Sequence, residues 1–168
     1  EATYTHNGAK KKLNFNINDF PKFKDKIEYI IIDEPPSNLL ELKDEDTEEK
    51  RGEKLILNGM ARDYFQRENL ITGLKNANEN DLILISDLDE IPNLEQSNLS
   101  KIKHKIIVFE QKMFYYKLNL LYSGTLWHGT KACKKKYLIS PQWLRNIKAK
   151  KYPFWRVDLL FSKKKYSD

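Results

Sequence analysis

Apolar residues are contiguous in the stretch DLILIS, Asp81 to Ser86, and this run has the length of a strand covered on both faces. KIEYIIID, Lys26 to Asp33, is β-branched and reads as a second strand, which EPPSN then breaks. KIIVFEQKMFYY, Lys105 to Tyr116, predicts another, with KLNLLY pairing beside it. The pattern turns helical from about Met60: Met60, Tyr64, Ile71 and Leu74 share a stripe, Asp63 and Arg67 stand at i,i+4, and Asn78 to Asn80 close the element. SPQWLRNIKAKK predicts a last helix with Ser140 as N-cap and Pro141 in first position. Residues 41–54, ELKDEDTEEKRGEK, are poor in apolar positions and read as a mobile charged loop. Strand, helix, buried strand and further strands imply an α/β sandwich with a mostly parallel sheet, in a single domain over residues 1–168.

Composition narrows the class. The chain is 40% hydrophobic and 12% aromatic, which is a folded rather than a disordered balance. The single cysteine, Cys133, excludes an internal disulfide, and the three lysines after it are a reason to ask whether its thiol is activated. Charge is divided unevenly: residues 101–168 carry 17 Lys/Arg against 3 Asp/Glu, whereas residues 1–100 carry 13 against 21. A cationic half suits a phosphorylated ligand, a polyanion or an acidic membrane surface. No stretch reaches the roughly 20 apolar residues of a membrane helix, and EATYTHNGAK shows no charged-then-apolar leader. The expected location is therefore the cytoplasm, with the basic half available for peripheral contact at the inner membrane face.

The chemistry concentrates where DLILIS ends. Asp87, Asp89 and Glu90 follow the apolar run and Pro92 follows them. At the carboxyl end of a strand in an open α/β sheet they would lie on the ligand edge. In an extended chain Asp87 and Asp89 share a face roughly 7 Å apart and Leu88 points back into the core. Two such carboxylates invite a hard divalent cation, Mg²⁺ or Mn²⁺, completed by substrate phosphates. An ATPase site of this kind needs a glycine-rich phosphate loop upstream. GTLWHGTK, Gly124 to Lys131, has its Lys and Thr in the wrong order and lies downstream. An aspartyl-phosphatase motif is not matched by the Glu90 and Ile91 that follow Asp89. A nucleotide-sugar transferase needs no such loop.

Longer similarity favours the last of these. ISDLDEIP resembles the signature of glycosyltransferase family 17, which includes the β-1,4-mannosyl-glycoprotein 4-β-N-acetylglucosaminyltransferases. ARDYFQRENLITGLKNANEN before it, TYTHNGAKKKLNF near the start, and FEQKMFYYKLNLLY, LWHGTK and SPQWLR after it resemble further blocks of the family in the same order. The family's first strand would fall just before Glu1. Of its Gly-Trp-His-Phe element near the C-terminus only Trp155 aligns, between Phe154 and Arg156.

The resemblance implies a GT-A fold, a Rossmann-like α/β/α sandwich lacking its first strand, and an inverting enzyme that transfers a sugar, GlcNAc from UDP-GlcNAc, to a saccharide acceptor on a glycan or glycolipid. Asp89 would ligate the metal directly and Asp87 through water, or Asp87 would contact the ribose. Glu90 would support the metal site, act in catalysis, or pair with a base such as Arg62 or Arg67. Arg62 and Gln66, one helical turn apart, would reach the donor. Lys131 and Arg145 would clamp its diphosphate. Inversion needs a base for the acceptor hydroxyl, and Glu110 is preferred over Asp158 and Asp168. His128 is a further metal-ligand candidate, and Trp127, Tyr115, Tyr116 and Trp155 are candidate sugar-stacking rings. Two other functions compete: a non-catalytic nucleotide-sugar or carbohydrate binder, and a basic module that binds polyanions. Under the transferase reading no nucleic-acid partner is expected.

Overall fold

The computed structural model describes residues 1–95, 97, 99 and 103–148, the Thr125 side chain excepted. They fall into two compact units, Glu1–Asn76 and a second that begins at Ala77.

In the first unit, residues 1–3 run alongside residues 30–32. Ile32 N–H donates to the Glu1 carbonyl at 2.9 Å and Thr3 N–H to the Ile32 carbonyl at 3.0 Å, which makes one parallel bridge between Ala2 and Ile32. The strand expected over KIEYIIID is thus reduced to a single bridge. Ala2, Tyr4 and Ile32 form a small core, against which Ile30 and Phe65 pack. Phe65 lies on α1 (Glu48–Glu68), which starts inside the stretch expected to be a mobile loop. The charged residues that conceal this start also build it. Thr47 Oγ1 accepts from Lys50 N–H, Glu48 and Glu49 sit in the first turn, and Asp46 accepts the Lys54 ammonium at 2.5 Å. Asn58, buried on α1, bonds both backbone groups of Leu40 at 2.7 and 2.8 Å. Met60, Tyr64 and Ile71 of the expected stripe are exposed. After Glu68 the chain continues as a 3-10 helix, Asn69–Leu74.

The second unit holds β1 (Leu82–Ile85), β2 (Ile106–Val108), β3 (Gln111–Phe114), β4 (Leu121–Trp127), β5 (Lys131–Lys134) and α2 (Pro141–Asn146). One sheet has the order β1-β5-β2, and β3 pairs with β4 in a separate hairpin. Every strand pair among the described residues is antiparallel. These short antiparallel strands in two small sheets overturn the expected GT-A sandwich with its mostly parallel sheet. β5 inserts between β1 and β2 and runs antiparallel to both. The DLILIS strand does form, but at a sheet edge. Ile83 and Ile85 are buried while Leu82 and Leu84 are half-buried, so burial alternates instead of covering both faces.

Ile83 and Ile85 of β1, Ala132 and Cys133 of β5, Leu144 of α2, Ile147 and Phe109 form the buried apolar part of this unit. Helix α2 begins as the sequence predicts: Ser140 Oγ accepts from Trp143 N–H at 3.1 Å and Pro141 opens the first turn. The KLNLLY segment supplies Leu121 and Tyr122, which pair with Phe114 and Met113. Among the described residues no helix is long and apolar enough to cross a membrane.

Candidate site at the end of the first strand

After Ile85 the chain does not stay extended. Glu90 N–H donates to the Asp87 carbonyl at 3.1 Å and Ser86 Oγ to the Glu90 carbonyl at 2.6 Å, which closes a turn with Leu88 and Asp89 at its tip. Leu88 is fully exposed, so its expected place in the core is corrected. Alternate residues share a face only along a strand, and the turn sends Asp87 inward and Asp89 outward.

Glu90 is the buried acid of the three. Its Oε1 accepts from Trp127 Nε1 at 2.7 Å and Arg145 NH2 at 2.6 Å. Its Oε2 accepts from Arg145 NH1 at 2.9 Å and Asp87 N–H at 3.1 Å. Arg145 NH2 also reaches Asp87 Oδ2 at 2.6 Å, and NH1 donates to the Gly129 carbonyl. One guanidinium, 13% exposed, thus serves both carboxylates. This is why acids tolerate each other at the end of β1: a planar cation with several donors and oriented N–H groups offset their repulsion.

Gly129 is required by this packing, because a Cβ there would run into the Glu90 carboxylate and Trp127 Nε1. Thr130 is fully buried; its N–H donates to Gln111 Oε1 at 3.1 Å and its hydroxyl shares a 2.7 Å hydrogen bond with Ser86 Oγ. Lys131, expected to clamp a diphosphate, is buried, and its ammonium donates to the Arg145 carbonyl at 2.5 Å. Arg145, expected in the same role, faces the acids, and Glu90 pairs with it instead of with Arg62 or Arg67. The structure therefore gathers Asp87, Glu90, Lys131 and Arg145. The roles of Ser86, Gly129 and Thr130, and of the indole N–H of Trp127 as a donor to Glu90, were not evident from the sequence. Their signal was membership of the ISDLDEIP and LWHGTK blocks.

Glu110 stands exposed between β2 and β3, with His128 Nε2 3.4 Å from its Oε1. Arg62 and Gln66 belong to the first unit, where Arg62 NH1 donates to the His6 carbonyl at 2.9 Å and Gln66 is exposed on α1. Tyr115 lies edge-on to Tyr122 at 5.2 Å, and Tyr116 is fully exposed. Trp155, Phe154, Arg156, Asp158 and Asp168 lie outside the described residues. Cys133 is buried and its thiol is pushed up to about 11 by burial, so the lysines after it do not activate it.

Among the described residues no three His, Cys, Asp or Glu side chains converge as a metal-binding group. Asp89 is exposed and makes no hydrogen bond or ion pair with another described residue. A single free carboxylate completed by substrate phosphates and water fits Mg²⁺ or Mn²⁺, which keep most of their waters. Compared with models of known protein families, with curated proteins and with solved structures, the chain matches none.

Proposed function

We propose that this chain transfers a sugar from a UDP-sugar donor, GlcNAc by the family resemblance, to a saccharide acceptor, with Mn²⁺ or Mg²⁺ held at Asp89. The reading rests on the site and not on the fold. One observation carries it: residues from four of the blocks that resemble glycosyltransferase family 17 meet in one hydrogen-bonded cluster. Ser86, Asp87 and Glu90 come from ISDLDEIP, Gln111 from FEQKMF, Trp127, Gly129, Thr130 and Lys131 from LWHGTK, and Arg145 from SPQWLR.

Each residue has a task in this reading. Asp89, at the tip of a turn anchored on both sides, faces solvent and is available to a metal. The metal, when bound, would neutralise the donor diphosphate as the leaving group gains charge. Arg145 and Glu90 fix the shape of that turn; in this arrangement they hold Asp89 in place and do not touch the donor. Trp127 is tied to Glu90 through its N–H and keeps 43% of its surface exposed, which leaves a ring able to stack on a sugar. Glu110 is the base for the acceptor hydroxyl, with His128 Nε2 beside it at 3.4 Å.

A second reading, a nucleotide-sugar or carbohydrate binder without turnover, is favoured by the full engagement of Glu90, Lys131 and Arg145 inside the protein. Calorimetric titration with UDP-GlcNAc, with and without Mn²⁺, followed by assay of UDP release with a saccharide acceptor, separates the two. Metal-dependent binding with turnover is expected, and Asp89→Asn should abolish both. Binding without turnover moves the chain to the second reading. If folded Asp89→Asn binds Mn²⁺ and the donor as the parent does, the metal reading fails.

A further inference from the structure

The first unit contains a cavity of about 560 Å³ lined by Tyr4, Gly8, Lys10, Lys11, Asp33 and Arg62, among others. A tight turn shapes one side of it. Thr5 N–H donates to the Ala9 carbonyl at 2.7 Å and Gly8 N–H to the Thr5 carbonyl at 2.8 Å, with Gly8 at φ +87°. Only glycine fits there on two counts. The backbone is left-handed, and a Cβ would come within 2.6 Å of Arg62 NH2.

Arg62 is the anomaly. Its NH1 bonds the His6 carbonyl, yet its Nε is buried and has no hydrogen-bond partner among the described residues. A buried N–H of a guanidinium without an acceptor is costly and calls for an explanation. Nε shares with NH2 the edge that grips two oxygens of one anion. Lys10 and Lys11 line the same cavity and Asp33 is the one acid lining it. Lys11 is matched by Glu1 at 2.7 Å, whereas Lys10 is exposed.

We infer that this cavity binds the phosphoryl group of a small organic ligand, with Arg62 as the two-toothed anchor and Lys10 as the second cation. With Lys11 matched by Glu1 and Asp33 opposing, one positive charge is left over, which suits a single anionic group, and a phosphoryl group has the oxygens to engage both Arg62 and Lys10. The cavity volume lies within the roughly 300–1,000 Å³ of sites that take an organic body along with its charged group. The site uses no metal and stands apart from the reading of Asp89.

Calorimetric titration of the full chain with inorganic pyrophosphate in EDTA, at constant ionic strength, tests it. EDTA removes any contribution from a metal at Asp89. Saturable binding is expected, weakened about tenfold or more by Arg62→Gln and several-fold by Lys10→Gln. Asp89→Asn should leave it unchanged. Lys10 is exposed, so its variant keeps the test decisive if Arg62→Gln does not fold. No saturable binding, binding that Lys10→Gln leaves intact, or binding lost in Asp89→Asn overturns the inference.

Discussion

Arg145 grips Glu90 with two nitrogens, NH2 on Oε1 at 2.6 Å and NH1 on Oε2 at 2.9 Å, across a sequence separation of 55 residues. The pair fastens α2 to the turn after β1. The Glu90 side chain is only 6% exposed, so the two charges meet away from water. Breaking such a pair from one side leaves a buried charge without its partner, which costs far more than the intact pair contributes.

Arg145→Met should therefore destabilise the second unit by about 3–5 kcal/mol. Adding Glu90→Gln should recover part of that loss, because a neutral amide still accepts from Trp127 and leaves no uncompensated charge. Arg145→Lys should rescue poorly, since an ammonium cannot span two carboxylates and a carbonyl at once. All three tryptophans, Trp127, Trp143 and Trp155, follow Asn76, so tryptophan fluorescence during urea unfolding reports on the second unit. A loss below about 1 kcal/mol for Arg145→Met would show that the pair behaves as a solvated surface bridge.

The first unit should respond to acid. The Lys54 ammonium, helped by the Lys43 N–H, lowers the Asp46 carboxyl to about 2. The Lys11 ammonium and the Asn14 N–H lower that of Glu1 to about 2 against the opposing effect of burial. Both groups bind protons less readily folded than unfolded. Their stabilisation is present above the ordinary carboxylate range and disappears as pH falls from about 4 to about 2. Helical circular dichroism, to which the 21 residues of α1 contribute most, should hold near neutrality and decline across that interval. Asp46→Asn should start less stable and decline less steeply. A parent profile flat across the interval, or an identical profile for the variant, would remove Asp46 from the account.

Local signals were readable in the sequence wherever a few neighbouring residues decide the outcome. The Ser140 cap with Pro141, the pairing of Leu121 and Tyr122 with the strand before them, and the strand at Leu82–Ile85 all follow from short-range chemistry. The start of α1 is hidden because no apolar stripe marks it: Thr47, Asp46 and Lys54 specify it with polar groups alone. The direction of β1 relative to its neighbour escaped for a different reason. An apolar run looks the same in a parallel or an antiparallel sheet, and which one forms depends on where the chain returns. At the site, an ion pair for Glu90 was foreseeable, since a buried carboxylate needs a cation. Its identity was not, because Arg62 and Arg67 lie nearer in the chain and only tertiary packing brings Arg145 to it.

Cys133 offers a separate check on how tightly the sheet is covered. It lies on the central strand β5, opposite Ile83 on one side and Ile106 on the other, and is about 1% exposed. With its thiol pushed up to about 11 by burial, only about one molecule in a thousand would carry the thiolate near pH 8, the form that attacks an alkylating reagent. Iodoacetamide labelling of the folded chain should therefore run at least ~100-fold slower than labelling in urea, where the thiol returns to about 8.5. The rate should follow the fraction of the second unit that is unfolded, so that Arg145→Met accelerates labelling at the urea concentrations where its fluorescence shifts. Rapid labelling of the folded parent would mean instead that β5 is open to solvent and that Ala132 and Cys133 are not the centre of this unit's core.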